Sequence, residues 1–186
     1  DEYPVSGVSW YEAAAYAEYA GKELPTGDHW DSGRGFYNLG TFELFHPKIY
    51  PLSNFRGKGT DRAGKNQGMT AYGALDMAGN AREWCYNESS DGRIISGAGY
   101  SDPTYLFSVW EQLPPFDRSP LNGFRCAIYV NRERIPETAY RLIELGTSNK
   151  RDYSLETPVP ENIFRIYKNQ FQYDKNELNA VIEKRD

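Results

Sequence analysis

Residues 1–130 predict an α+β domain, rich in loops and built from short strands with two short helices. Three observations point there. Fifteen Tyr, nine Phe and four Trp stand beside 17 Gly and 11 Pro, so bulky rings can fill a core while the chain runs mostly through turns and short strands. Helix signals gather near the start, in two short segments. Strand-like runs come later, after Gly92, and this segregation is the α+β pattern.

The first helix has a complete start signal. In Ser9-Trp-Tyr-Glu12 the Ser9 hydroxyl can take an orphan amide of the first turn while Glu12 reaches back to the cap. Ala13, Ala14, Ala15, Ala17 and Ala20 follow, all with high helix propensity, and Gly21 stands where a left-handed residue ends a helix. A helix over residues 10–20 is expected, approached by an extended Pro4-Val-Ser-Gly-Val8. Thr26 can cap a second helix with Asp28 near its positive end, and Gly33 and Gly35 end it quickly.

From Phe36 to Thr70 periodicity dissolves into Gly, Asn, Pro and charge. An aperiodic stretch of about 35 residues is long for a compact domain and suggests a functional or ligand-ordered loop. Arg93-Ile-Ile-Ser-Gly-Ala-Gly-Tyr100 reads as a strand ending in a glycine-rich bend, and Gly123-Phe-Arg-Cys-Ala-Ile-Tyr-Val130 as the core strand that closes the domain. Between them lies an aromatic loop with Tyr105, Phe107, Trp110 and Phe116 among four prolines.

At about Asn131 the composition changes, and residues 131–186 are expected to form a connector. Pro136–Leu145 suggests a brief helical turn and Gly146–Thr157 a polar linker. Pro160 opens an amphipathic helix with Ile163, Phe164, Ile166, Tyr167 and Phe171 at helical spacing. Leu178–Glu183 alternates like a strand. This tail is too small to hold a core of its own. The chain opens abruptly at Asp1, as an excised piece would.

Composition excludes several classes. Net charge is −5 with no basic stripe, which argues against nucleic acid. No apolar run reaches the roughly 18–20 residues a membrane span needs. Cys85 and Cys126 are the two cysteines, with no C-x-x-C or H-x-x-x-H spacing, so zinc is disfavoured. They fit either one disulfide or two buried thiols. His29, beside Asp28 and Asp31, sits in a first helical turn and reads as a surface residue. No nucleophile elbow supports a triad through Ser96 or Ser101, and Gly57-Lys-Gly59 lacks the rest of a phosphate loop.

Four segments, in this order, carry a resemblance: Pro4-Val-Ser-Gly-Val-Ser-Trp10 with its alanine-rich helix, Gly21-Lys-Glu-Leu-Pro-Thr26, Ala71-Tyr-Gly-Ala-Leu-Asp-Met-Ala-Gly-Asn-Ala-Arg-Glu-Trp84, and Asn122-Gly-Phe-Arg-Cys-Ala127. Together they resemble the formylglycine-generating enzyme family, whose domain is a variant of the C-type-lectin fold. The resemblance covers about residues 4–130 and lacks the family's opening segment. It implies a calcium site at the carbonyls of Ala78, Gly79 and Ala81 and the carboxylate of Glu83. A second site would use Asn54 and Phe55, with Asp61 as a guess for the acidic ligand. Hard oxygen ligands suit calcium. The competing role for Glu83 is a buried salt bridge, to Arg125 or near Arg82.

The family oxidises a substrate cysteine with O₂ on copper(I) held by two cysteines, as soft thiolates select that ion. The interval where the resemblance places them, Gly97–Gly123, contains no cysteine. Copper is therefore not expected and no residue is nominated as catalytic. The favoured function is a non-catalytic binding or scaffold domain, with a peptide, a small ligand or neighbouring domains as partners. Tyr100, Tyr105, Phe107 and Trp110 either fill the core or line a ligand groove where the enzymes bind peptide. A lectin-like display surface on the 101–122 loop is a further reading. The rival is a copper- or iron-dependent oxidoreductase acting on a thiol, with its missing parts supplied elsewhere. The Pro160–Asp186 tail resembles the connector of large bacterial proteins in which a protein kinase precedes such a domain and an α/β-hydrolase follows.

Overall fold

A computed structural model describes residues 2–35, 48–145 and 157–171. The chain divides into two units, Asp1–Thr147 and Ser148–Asp186.

In the first unit a four-stranded sheet separates two helices. Helix α1 is Trp10–Tyr19 and α2 is Gly27–Arg34. The strands are β1 Arg82–Ser89, β2 Gly92–Ser96, β3 Glu111–Leu113 and β4 Asn122–Gly123. They lie in the order β3-β2-β1-β4. The β1–β2 and β2–β3 pairs are antiparallel, and β4 runs parallel to β1. Because successive strand residues point to opposite faces, neighbours divide between two cores. Cys85 and Ile94 join Trp30, Met77, Phe107 and Ile143 on the α2 side. Trp84 and Ile95 join Trp10, Ala13, Ala17 and Leu24 on the α1 side.

Both helix starts form as the sequence predicts. The Ser9 amide donates to Glu12 Oε2 at 2.8 Å, and the Glu12 amide donates to Ser9 Oγ at 3.3 Å. Thr26 Oγ1 accepts the His29 amide at 3.3 Å. Gly21 and Gly35 take positive φ, 65° and 95°, directly after the two helices, where a side chain would be strained.

The closing strand is shorter than expected. Only Asn122 and Gly123 are strand, followed by a single bridge from Ala127 to Glu23. Ile128 is 67% exposed and Val130 91%, so Gly123–Val130 is not a buried core strand. At Gly123 the chain is squeezed between β1 and the incoming strand-like Ser6, which bridges it, and a Cβ there would lie 2.6 Å from the Val5 carbonyl oxygen. Past that point the backbone leaves the sheet. Sequence periodicity missed β1 for a different reason: its inward face carries Glu83, Cys85, Asn87 and Ser89, all buried, and three of the four are polar.

Residues 131–145, expected in the connector, fall within the first unit. A 3₁₀ turn at Glu137–Tyr140 brings Ala139 and Ile143 into buried positions. Asn87 fastens it: Nδ2 donates to the carbonyls of Ala139 (2.9 Å) and Arg141 (2.8 Å), while Oδ1 accepts the Gly27 amide at 2.8 Å. One buried amide thus ties β1, the start of α2 and the turn with no polar atom wasted.

In the second unit α3 spans Glu161–Phe171. Ile163, Phe164, Ile166 and Tyr167 are all exposed on it. The strand expected at 178–183 lies outside the described residues.

Three substitutions test this packing and capping. Phe107→Ala should cost about 3–5 kcal/mol, because the ring is fully buried between Trp30 and Tyr50. Tyr105→Ala, at 63% exposure, should stay within about 0.5 kcal/mol. Chemical denaturation of both measures the contrast. Ser9→Ala should cost about 1 kcal/mol through the lost cap, read in the same way.

Candidate functional site

The turn before β1 is held by backbone conformations that side chains rarely adopt. Asp76, Gly79 and Asn80 have φ of 56°, 73° and 65°. Gly79 has no alternative, since a Cβ would lie 2.5 Å from the Asn54 carbonyl oxygen. Three hydrogen bonds stitch the turn to two distant segments: the Asn80 amide donates to Asn54 O (2.9 Å), the Gly79 amide to Gly97 O (2.8 Å), and the Tyr100 amide to Asn80 O (3.0 Å).

Glu83, at the start of β1, is buried. Its Oε2 accepts Trp30 Nε1 at 2.6 Å and Arg125 Nε at 2.6 Å, and its Oε1 accepts Arg125 Nη2 at 2.6 Å. Arg125 Nη2 also donates to the Leu75 carbonyl at 3.1 Å. Arg82 turns away, donating from Nε and Nη2 to Asp102 at 2.6 and 2.8 Å. Of the two roles considered for Glu83, the geometry is that of the salt bridge to Arg125. Ala78, Gly79 and Ala81 lie beside it on the turn, and Asp76 Oδ1, in the cavity that Ala81 and Glu83 also line, is buried without a hydrogen-bond partner.

The Asn54 set is better disposed. Asn54, Phe55 and Asp61 line one cavity of about 450 Å³ with Ser53, Asn66 and Thr104. Asn54 Nδ2 donates to Gly59 O at 3.0 Å and to Asn80 Oδ1 at 3.2 Å, and the Asp61 amide donates to the same Asn80 oxygen at 2.7 Å. A Cβ at Gly57 would lie 2.4 Å from Asn54 Oδ1 and 2.8 Å from Gly59 O, so the missing side chain leaves room where two oxygens converge. The Asp61 carboxylate takes Lys65 Nζ at 2.6 Å and Asn66 Nδ2 at 3.3 Å. The Lys65 hydrogen bond, the largest influence, holds its carboxyl below the usual range. Lys65 is 60% exposed and free to swing into solvent. Amide, carbonyl and carboxylate oxygens on one cavity fit a hard cation.

The four aromatic residues of the suggested groove do not share a surface. Phe107 is fully buried, with the Arg34 guanidinium 5.6 Å from its ring centre. Trp110 is half-buried and packs on the α2-side core, close over Gly27. Near it Arg34 Nε meets Asp31 at 2.8 Å. Burial pushes the Asp31 carboxyl up, opposed by the Arg34 charge. Tyr100 is half-buried and Tyr105 projects into solvent. Phe107 thus fills the core and Trp110 packs against it, the core-filling alternative of the two.

Neither thiol is placed for chemistry. Both cysteines are free. Cys85 is sealed in the α2-side core, where burial first and then the Glu83 charge push its thiol far above the usual range. Cys126 packs against the α1-side cluster, across the sheet. Among the described residues no group of three or more His, Cys, Asp or Glu side chains gathers as a metal cluster. His29 Nδ1 lies 2.6 Å from Thr26 Oγ1 and 3.2 Å from the Tyr129 hydroxyl, within a helix cap. Sequence reasoning missed the Asn54–Asn80–Asp61 knot and the Trp30–Glu83 bond; asparagine among turn residues is read as a turn former, and no periodicity marks it as buried.

Comparison with known proteins agrees with this geometry. A family model described as the sulfatase-modifying factor enzyme 1-like domain matches residues 1–130. The uncharacterized protein YfmG of Bacillus subtilis is 55% identical over 74% of this chain and 38% of its own length. The serine/threonine-protein kinase pkn1 of Chlamydia pneumoniae is 36% identical over 45% of this chain and 14% of its own. The inactive C-alpha-formylglycine-generating enzyme 2 of Bos taurus is 28% identical over 70% of this chain and 52% of its own. The chain thus spans about half or less of these relatives. The solved structure of CarF superposes with a TM-score of 0.57 at 19% identity, covering 67% of each chain, which shows the shared fold. Among the described residues no helix is long and apolar enough to cross a membrane. With its turn, its Glu83–Arg125 pair and its two-sided sheet in place, the chain belongs to the formylglycine-generating enzyme family, as a sulfatase-modifying factor enzyme 1-like domain with a C-type-lectin-like fold.

Proposed function

We propose that this domain is a non-catalytic member of its family that binds a peptide or small ligand, or holds neighbouring domains of a larger protein in place. One observation carries this. The interval Gly97–Gly123 contains no cysteine, and the two thiols that exist lie on opposite sides of the sheet. Copper(I) needs soft thiolates side by side, and substrate cysteine needs one of them free to form a mixed disulfide. A bovine relative named inactive supports the reading. The module role is supported by the chlamydial kinase, in which the matched segment is 14% of the length, and by the exposed apolar stripe of α3, suited to packing on a neighbour.

Calcium has a structural place in this proposal. Asn54, Phe55 and Asp61 would hold it, fixing the 53–61 loop against the Asn80 turn. The ligand face is the mouth of the same cavity, where Thr104 brings in the aromatic loop beside Tyr105.

Two measurements test the proposal. With copper(I) and O₂ supplied, a cysteine peptide should show no conversion to the aldehyde by mass spectrometry, and turnover would remove the non-catalytic reading. Calcium at about 100 times its dissociation constant should add about 2.7 kcal/mol to stability. Asp61→Asn should abolish most of that gain in melting experiments against chelator.

A further inference from the structure

A second cavity, of about 540 Å³, opens at the end of α1 and shares no lining residue with the Asn54 cavity. Its floor is apolar: Ala17 and Leu24 are buried there, and Trp10 is only 9% exposed. Tyr86 forms a wall, 40% exposed, in T-shaped contact with Trp10 at 6.5 Å between ring centres. A cavity of this size, with apolar and aromatic walls and a few polar groups, suits a small organic ligand.

The rim is charged, and its balance selects the ligand. Lys22 and Arg132 line it with Glu18 and Glu23, and Arg132 meets Glu23 at 3.2 Å. Arg93 adds a further cation. Its guanidinium lies 3.9 Å from the centre of the Trp10 ring and donates to the Tyr86 carbonyl at 3.1 Å. Among the described residues neither Arg93 nor Lys22 pairs with a carboxylate. A cationic ligand would find the indole already occupied by a guanidinium, whereas an anion meets a local surplus of positive charge on a chain of net charge −5. The negative end of the α1 dipole is tempered, because the carbonyls of Tyr16, Ala17 and Glu18 accept the amides of Ala20, Lys22 and Gly21.

A hydrogen-bond donor stands beside this rim. Tyr140 packs edge-on to Tyr86 at 5.1 Å between ring centres, and its hydroxyl is buried with no hydrogen-bond partner among the described residues. Burial raises the pKa of that hydroxyl, and the charges of Glu23 and Arg132, both on the rim, act on it as well. A buried polar group left without a partner is rare in a folded chain, and a ligand oxygen would supply one.

We propose that this cavity binds an aromatic carboxylate. The ring lies over Leu24 between Trp10 and Tyr86, and the carboxylate takes Lys22, Arg132 and the Tyr140 hydroxyl. The site is independent of calcium and of the ligand face at the Asn54 cavity.

Isothermal titration with 3-phenylpropionate tests it, with the neutral 3-phenylpropionamide as control. The acid should bind saturably and the amide about tenfold more weakly, as expected when hydrogen bonds to a charged group are lost. Tyr140→Phe, which removes only the hydroxyl, should weaken the acid several-fold while the melting temperature holds. The double variant Lys22→Gln, Arg132→Gln should lower affinity for the acid about tenfold and leave that for the amide unchanged. Both side chains are exposed, so this chain keeps its fold and decides the matter should Tyr140→Phe unfold. The Asp61→Asn chain, altered only at the other cavity, should bind the acid as the parent does. Absence of saturable binding, equal affinity for acid and amide, or acid binding untouched by the double variant overturns the proposal. A peptide ending in phenylalanine then identifies the source: binding tighter than that of the free acid, and lost on amidation of its terminus, assigns the site to a chain end, and weaker binding assigns it to a small acid.

Discussion

The contact on which the first unit depends is the three-way meeting of Trp30, Glu83 and Arg125. Trp30 comes from α2, Glu83 from β1, and Arg125 from the segment after β4. The sheet alone does not join them, because β4 pairs with β1 over only two residues. A buried carboxylate cannot stay unpaired, so burying Glu83 under α2 obliges Arg125 to follow and the Trp30 indole to turn its N–H inward. Such a pair contributes less net stability than its short distances suggest, since both groups are desolvated; removing one partner is what costs most, about 3–5 kcal/mol. Its effect is to fix position.

A second layer of order comes from side-chain amides standing in for backbone partners. Asn80 serves two loops, Asn87 serves a helix start and a 3₁₀ turn, and Asn122 donates from Nδ2 to Asp117 Oδ1 at 2.7 Å while its backbone carbonyl accepts the Gly7 amide at 2.9 Å. A domain with few long strands leaves many backbone groups without a ladder partner, and buried groups of that kind must be satisfied. Asparagine offers two donors and an acceptor on a short side chain. That is how a loop-rich chain keeps a defined interior.

The same layout separates fold from chemistry. Everything that holds the turn at Gly79–Glu83, the cap of α1 and the two cores is intact, while the segment between β2 and β4 has been filled with apolar rings. Phe107 and Trp110 sink into the α2-side core, and Arg34 bolts the loop from below through the Phe107 carbonyl. A loop packed this way has a rigid base and an exposed tip at Tyr105, a form suited to presenting a surface.

The sequence by itself determined what is local. The Ser9–Glu12 box, the Thr26 cap, the glycines after each helix and the Pro160 start are all contacts within a few residues, so residue type and spacing are enough to specify them. Ordered motifs carried the family, and the missing cysteine pair needed only counting. Tertiary structure decided the rest. It made β1 a buried strand despite Glu83, Asn87 and Ser89, because the partners of Glu83 and Asn87 lie 42 to 60 positions away along the chain. It ended the closing strand at Gly123, past which only the bridge from Ala127 to Glu23 remains. It drew residues 131–145 into the first unit, and it gave Glu83 to a guanidinium. Long-range partners cost chain entropy that no local pattern records, and which oxygen meets which cation is fixed only once the segments are brought together.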